Sequence, residues 1–215
     1  FDQVPVTENE IIIGVLEKGD KKISGLVSEN MRRLDDSLLV AAEEPLNDFL
    51  PNLAKPPFYK LVLEGSKITG IVTRSDMLKL PVRLYGFALV TNLELIMIEI
   101  IQNRFDGSEN WLKLLSTGRR KSVLEEKEKY EAKRMDPPLI ELTNFCDKKT
   151  ILKKNLGLPK SFESALSQIE QKLRNPLAHS VTFAADKSQM ISFIEIIQLT
   201  QGWIKELMTY LNNAG

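Results

Sequence analysis

The chain has 215 residues, of which 43% are hydrophobic, enough for one large packed domain or two smaller ones. Its 29 basic residues equal its 29 acidic residues, so the overall charge gives no argument for a nucleic-acid partner. One cysteine, Cys146, excludes an intrachain disulfide framework and is typical of a reducing compartment. Residues 1–80 carry 10 basic and 13 acidic side chains and residues 81–215 carry 19 and 16, so the second part is the better candidate for binding a polyanion.

Two similar β-hairpins are predicted near the N-terminus. Residues 1–6 and 11–20 align with residues 58–63 and 67–76, and each pair consists of two β-rich runs joined by a short polar turn. The repeat period is the number of residues from Gly14 to Gly70, and the alignment of the two copies shifts by one residue at the turn. Between the copies we expect an entry segment at residues 27–31, a short strand at residues 37–40, and a helix with Pro45 in its first turn that runs to about Leu53. The first copy starts at its final hairpin, so we expect further residues before Phe1.

The second hairpin ends in a Gly-hydrophobic-hydrophobic-Thr-x-x-Asp signature made by Gly70, Ile71, Val72, Thr73 and Asp76. This signature and the tandem period resemble CBS domains, which occur as pairs that bind adenosine-containing ligands between the repeats. The resemblance implies an α/β region over residues 1–80, with the end of the first repeat at 1–25 and the second repeat at 26–80.

It also implies a regulatory nucleotide, AMP, ADP or ATP, at the second copy. There Gly70 allows close backbone approach, Thr73 contributes a hydroxyl near a helix start, Asp76 accepts ribose hydroxyls and Arg74 contacts phosphate. The first copy keeps Gly14 but has Glu17 where the second has a threonine, and a carboxylate there would repel phosphate. The alternative is a small α/β scaffold that fixes dimer geometry and binds nothing.

A long helix is predicted from Pro81 to about Arg104. Apolar residues cover nearly all of its faces, which indicates burial on more than one side, partly against another subunit. Glu94 and Glu99 interrupt the stretch, which makes it a poor membrane span, and no signal peptide is visible. Either glutamate is a candidate for holding Arg174 in position, or else is simply exposed.

The central part of the bundle is predicted from turn and capping signals. A short helix at residues 111–115 ends at Thr117-Gly118, and a charged helix from Arg119 to Arg134 starts with a capping box at Ser122. After Asp136 and two prolines, an apolar stripe with a buried Cys146 extends to about Leu156. The basic run at residues 119–121 is either a solvated face or an RNA contact.

The next helix has a clean apolar face formed by Phe162, Ala165, Leu166, Ile169 and Leu173, and it brings Arg174 to its C-terminal end. The last helix starts with the capping pair Asp186 and Gln189 and runs to about Leu211. Between these helices lies His179, the one histidine of the chain. On an unbroken helix the side chains of Arg174 and His179 would point about 140° apart. We therefore expect Pro176 to break the helix, with Asn175 as the cap of a new one.

The sequence from Arg174-Asn175 to His179 resembles the Arg-Asn-x-x-x-His signature of the HEPN superfamily, helical-bundle proteins that include many metal-independent ribonucleases. The resemblance implies a HEPN-like bundle over residues 81–215 that dimerises, so that two such segments share one cleft. It also implies that Arg174, Asn175 and His179 are the catalytic residues. His179 would act as general base or acid, Arg174 would stabilise developing negative charge, and Asn175 would orient the segment. This chemistry requires no metal.

Together these patterns predict an α+β chain: a CBS repeat region followed by an all-α bundle. The function expected is an adenine-nucleotide-regulated endoribonuclease, homodimeric and cytoplasmic, with RNA as substrate and no membrane contact. Two alternatives stay open. The first is a non-catalytic nucleotide sensor whose bundle mediates dimerisation or partner binding. The second is a toxin inhibited by a modifying antitoxin, which is disfavoured because Val181 stands where such toxins often carry a tyrosine.

Overall fold

The computed structural model describes residues 2–19, 24–155, 159–178 and 184–214, and it has a mixed α+β fold. Contacts divide the chain into two compact units, Phe1–Met77 and Leu78–Gly215, called here the N-terminal unit and the helical unit. The predicted boundary at residues 80 and 81 lies three residues from this division.

The N-terminal unit holds two three-stranded sheets and two described helices. Its strands are β1 (Gln3–Glu8), β2 (Ile11–Glu17), β3 (Arg32–Arg33), β4 (Leu39–Ala41), β5 (Tyr59–Glu64) and β6 (Lys67–Thr73). The strand orders are β1-β2-β3 and β4-β5-β6, and the β4 to β5 pairing is parallel whereas the others are antiparallel. The helices are α1 (Val27–Asn30) and α2 (Leu46–Leu53).

The two hairpins share one register, which confirms the predicted period. Val6 lies opposite Gly14, and Val62 lies opposite Gly70. A register shift follows Val6 in the first hairpin and Val62 in the second. Because this irregularity occurs at the same place in both copies, the two strands of the first hairpin are separated from those of the second by the same number of residues. The predicted shift of one residue at the turn is therefore wrong.

The core of the N-terminal unit joins the two repeats. Val15 of the first hairpin packs with Leu38, Tyr59 and Leu61 of the second copy, and all four are buried. Burying an aliphatic side chain of this size contributes about 1.5–3 kcal/mol, so this shared cluster is a main reason why the two hairpins fold as one unit.

The helical unit begins with α3 (Leu80–Arg104), as predicted, with Pro81 in its first turn. By length and composition α3 is the only helix in the described part of the chain that would reach across a membrane. It packs, however, on two other helices of the bundle, α5 (Phe145–Asn155) and α8 (Lys187–Ala214). Leu93, Met97, Ile100 and Ile101 are almost fully buried. One face of α3 is therefore buried within the bundle.

Two predictions in the middle of the chain are wrong because the helices are capped at other residues. Helix α4 (Thr117–Glu131) starts inside the predicted turn, since the Ser116 hydroxyl accepts a hydrogen bond from the Arg119 amide. Helix α5 starts at Phe145, where Asn144 and Asp147 accept hydrogen bonds from each other's backbone amides. This start buries Phe145, Ile151 and Leu152 and turns Cys146 outward, so Cys146 is exposed rather than in the core.

The last helices follow the prediction more closely. Helix α6 (Lys160–Ile169) buries the expected apolar face. A π turn (Glu170–Arg174) and a short helix α7 (Asn175–Ala178) continue it. At the start of α8, Asp186 accepts from the Gln189 amide, and the Gln189 side chain accepts from the Ala185 amide, which confirms the predicted cap.

Candidate functional site

In the second repeat the structure brings Thr73 and Asp76 together at the carboxyl end of β6. One carboxylate oxygen of Asp76 accepts a hydrogen bond from the Thr73 amide at 2.7 Å and from the Thr73 hydroxyl at 3.1 Å. The same hydroxyl lies 2.8 Å from the Ser75 hydroxyl. These bonds cap the 3-10 turn Arg74–Leu78, so the signature has a local structural role whatever it binds.

The other two predicted ligand residues lie beside this turn. Arg74 is its first residue and is exposed, so its guanidinium is accessible to an anion. Gly70 lies three residues before Thr73, within β6, and is also exposed. A Cβ atom added at Gly70 would lie 3.8 Å from Val62, which is an ordinary contact. Close packing within the described chain therefore does not require glycine at this position.

The equivalent position of the first repeat is engaged differently. Glu17 occupies the place of Thr73 and accepts a hydrogen bond of 2.7 Å from the hydroxyl of Tyr59, which belongs to the second repeat. Burial and the neighbouring Glu17 carboxylate raise the pKa of Tyr59. No local pattern indicates this pairing, because the two residues are 42 positions apart. It provides a structural use for the carboxylate that replaces threonine in the first copy.

In the helical unit Arg174 and Asn175 form a bonded pair at a deformed part of the helix. Arg174 donates from Nη1 to the Asn175 side-chain oxygen at 3.1 Å, and both side chains are half-buried. His179 lies outside the described residues. The guanidinium stays charged at any physiological pH and carries five N–H donors, of which this bond uses one.

The predicted break at Asn175 is wrong, since Asn175 has α-helical dihedral angles of −67° and −46°. The irregularity lies one turn earlier, where the Asn175 amide bonds to the Glu170 carbonyl in the wider π spacing. Pro176 has no amide hydrogen, and its ring would clash with the carbonyl four residues earlier in a regular helix. A π turn before the proline relieves this clash without ending the helix.

The backbone around this pair is fixed by tight packing between α3 and α7. A Cβ atom added at Gly86 would lie 2.8 Å from the side chain of Leu177, and Leu173 and Leu177 are buried. Next to Gly86, the hydroxyl of Tyr85 accepts a hydrogen bond of 2.7 Å from the Gln201 side chain. Arg174 and Asn175 are therefore carried by a segment that is buried on its apolar side.

Two of the charged residues considered for a role near Arg174 or RNA, Glu94 and Arg119, have other partners. Glu94 pairs with the buried Lys148 at 3.3 Å, so it holds Lys148 rather than Arg174, and Glu99 is exposed. Arg119 donates two hydrogen bonds to Asp147, at 3.0 and 2.6 Å, and so links α4 to α5. Among the described residues, no three histidine, cysteine or acidic side chains are grouped so as to hold a metal ion.

A feature that sequence reasoning missed is a cleft of about 540 Å³ between α5 and α6. Its charged rim includes Lys149, Lys153 and Lys160. The available signal was the spacing of four residues between Lys149 and Lys153, which places both on one face of α5.

Comparison of the chain with models of known protein families, with curated proteins and with solved structures finds no match in any of the three.

Proposed function

We propose that this chain is an adenine-nucleotide-regulated, metal-independent endoribonuclease of HEPN type. The observation that supports it best is the Arg174-Asn175 pair, held by a hydrogen bond on a firmly packed segment and followed four residues later by the chain's one histidine. A preformed cation followed closely in the sequence by a histidine suits phosphoryl transfer.

In the proposed reaction the 2′-hydroxyl oxygen of the RNA attacks the adjacent phosphorus. The bond between phosphorus and the 5′-oxygen breaks, which leaves a 2′,3′-cyclic phosphate and a 5′-hydroxyl. His179 takes the proton of the attacking hydroxyl or gives one to the leaving oxygen, and Arg174 stabilises the negative charge that develops on the phosphate. Asn175 keeps the guanidinium in place. By the family resemblance, two copies contribute their segments to one cleft.

The test is cleavage of end-labelled RNA in EDTA by the wild type, Arg174→Ala and His179→Ala. We expect cleavage by the wild type and a loss of about 10²–10⁴-fold in His179→Ala, the usual contribution of general acid–base catalysis. Lys172→Ala changes an exposed cation on the same turn and is the matched control, which we expect to stay active. If no variant differs from the wild type, the enzyme proposal is wrong.

For the N-terminal unit we propose that Gly70, Thr73, Arg74 and Asp76 bind AMP, ADP or ATP. The clustering of Thr73 and Asp76 at a strand end, next to an exposed arginine, supports this proposal. Calorimetric titration with each nucleotide should show binding that Arg74→Ala weakens. Lys67→Ala, at the other end of β6, is the control and should bind as the wild type does. Equal binding by both variants would remove the assignment.

A second candidate function is a non-catalytic sensor with a dimerising bundle, and an apolar face on α3 supports the dimer that both candidate functions use. Large side chains on this face are 41–65% exposed: Leu80, Leu84, Phe87 and Leu95. The spacing is symmetric about Thr91, so two antiparallel copies of α3 would place Leu84 against Ile98 and Phe87 against Leu95. We expect Leu84→Glu with Leu95→Glu to yield monomers in sedimentation, while Leu124→Glu, on an exposed site of α4, leaves the wild-type state unchanged.

A further inference from the structure

The cleft between α5 and α6 has an apolar floor and a cationic rim. Phe162 and Leu166 form the floor and are almost completely buried. Three lysines and one glutamate, Glu163, lie in its wall, and because Glu170 pairs with Lys149 the formal excess is one positive charge. Its volume of about 540 Å³ is within the range of natural ligand pockets, roughly 300–1,000 Å³. We call it the lysine cleft and define it by Lys149, Lys153 and Lys160.

Two of these lysines are oriented by acidic residues of α6 and the π turn. Lys149 donates to Glu170 at 2.7 Å and to the Ser167 hydroxyl at 3.4 Å, and Lys153 pairs with Glu163. An ammonium group has three N–H donors, so these described bonds leave capacity on both lysines for a further acceptor. Lys153 is 57% exposed and Lys160 is also exposed, so a ligand from solvent can reach both.

The row of residues that carries these acids continues to the proposed catalytic pair. Glu163, Ser167 and Glu170 are spaced by four and three residues, which places them along one side of α6. Glu163 and Glu170 are about 10 Å apart along the axis, and Arg174 follows Glu170 by one π turn. An elongated anion that binds the cleft lysines would lie near the end of this row at Arg174, with the carboxylates of Glu163 and Glu170 offset by their pairing with Lys153 and Lys149.

The floor of the cleft argues for contact with a backbone rather than with bases. Proteins that hold single strands through bases present open aromatic faces for stacking. Here the ring of Phe162 is only 2% exposed and packs against Trp203, with ring centroids 4.7 Å apart. What the cleft offers a nucleic acid is charge and hydroxyl groups, the features that bind phosphates and carry no sequence information.

We propose that the lysine cleft binds the sugar–phosphate backbone of single-stranded RNA beside the scissile phosphate, which lies at Arg174. The proposal rests on the proposed ribonuclease function and adds to it the path of the substrate. It also explains how a chain with no net charge can bind RNA, since the positive excess is local.

The test is binding of fluorescently labelled 2′-O-methyl oligouridine, which lacks the attacking hydroxyl, measured by anisotropy at several salt concentrations. The triple variant Lys149→Gln, Lys153→Gln and Lys160→Gln should lose three phosphate contacts. The slope of the logarithm of the binding constant against the logarithm of the salt concentration should then fall by about 2, and binding should weaken about 10- to 100-fold near 0.1 M salt. The double variant Lys153→Gln with Lys160→Gln changes only exposed residues and should show the same effect at smaller size, even if the triple variant folds poorly.

Two comparison variants give the opposite or no effect. Glu163→Gln with Glu170→Gln removes the competing carboxylates and should tighten binding. Lys129→Gln with Lys133→Gln removes two exposed cations on or near α4, the same number as the double cleft variant, and should leave binding unchanged. The proposal is overturned if replacing the cleft lysines leaves RNA affinity unchanged, or if replacing the α4 lysines lowers RNA affinity equally. It is also overturned if Glu163→Gln with Glu170→Gln binds RNA more weakly, because the ion pairs would then serve only to hold the helices together.

Cleavage kinetics separate this proposal from the ribonuclease proposal. The cleft variants should raise KM and leave kcat near the wild-type value, whereas Arg174→Ala should lower kcat. If the wild type binds RNA through the cleft but cuts nothing, the enzyme proposal fails and the cleft proposal stands. If it cuts RNA and the cleft variants have the wild-type KM, the cleft proposal fails alone.

Discussion

The equivalent glycines of the two repeats should respond oppositely to the same substitution. A Cβ atom at Gly14 would lie 2.5 Å from the backbone carbonyl oxygen of Arg32 and 3.0 Å from the sulfur of Met31. To reach even 3.0 Å the carbonyl would have to move by about 0.5 Å, and overpacking of this kind typically costs about 1–3 kcal/mol. Strand β3 is two residues long and pairs with β2 at Gly14 and Val15, so it cannot move without disturbing its pairing.

Gly70 has the same place in the second hairpin but lies at a sheet edge, because β6 is the last strand in its described sheet. A Cβ atom there meets only Val62, at 3.8 Å. Gly70→Ala should therefore be neutral or stabilise the unit by about 0.4–1 kcal/mol, since alanine restricts the unfolded chain. The same substitution at equivalent positions of the two repeats is thus predicted to change the free energy of unfolding in opposite directions.

The assay is hydrogen–deuterium exchange of the β2 and β6 peptides, because Trp111 and Trp203 both lie in the helical unit and their fluorescence does not report on the hairpins. A loss of about 1–3 kcal/mol corresponds to exchange about 5- to 150-fold faster throughout the N-terminal unit. Equal effects of Gly14→Ala and Gly70→Ala, or unchanged exchange in Gly14→Ala, would refute the steric reasoning.

Three further predictions concern single contacts. The raised pKa keeps Tyr59 protonated in the folded state, so the wild type should lose stability as the pH rises above about 10, where the unfolded tyrosine ionises. Tyr59→Phe should not show this loss, and hydrogen exchange of both proteins at pH 9–11 would test the difference. Lys148→Ala should destabilise the helical unit by about 1–3 kcal/mol, because it removes the donor that Glu94 and the Thr143 carbonyl share. Urea unfolding followed by tryptophan fluorescence measures this, and the exposed Lys121→Ala should have little effect. Gly86→Ala should lower cleavage and stability together, because the new methyl group pushes Leu177 and the Arg174 segment outward, and Leu177→Ala in the same chain should restore part of both.

The sequence predicted those features that depend on periodicity and local punctuation. The hairpins follow from β-rich runs and tight polar turns, and α3 follows from Pro81 and a long apolar stretch; the strand and helix bounds confirm both. The apolar face of α6 is confirmed residue by residue from Phe162 to Leu173. In each case the signal lies within a few turns or one hairpin, where spacing alone determines which residues share a face.

The errors arise where two local signals compete or where a partner is distant. Ser116 and Ser122 are both acceptable caps, and the helix that starts at Ser116 carries Arg119, whose partner Asp147 is 28 positions away and is indicated by no local pattern. The sequence predicts a helix that begins soon after Asp136 and turns Cys146 inward, whereas α5 begins at Phe145 and turns Cys146 outward. Tyr59 and Glu17 are another distant pair, so no window of sequence reveals their bond.

Pro176 shows how a correct local rule led to a wrong structure. Proline does disfavour a regular helix through the preceding turn, which predicts a break at Asn175. The chain meets the same steric demand by widening the turn Glu170–Arg174 instead. The consequence for the candidate site is specific: Arg174 projects from a π turn, whose wider spacing changes the direction of its side chain from that on an α-helix. Replacing Pro176 with alanine would allow regular helix through this segment, so it should raise stability while lowering cleavage, and a variant that gains both would show that the π turn has no part in placing Arg174.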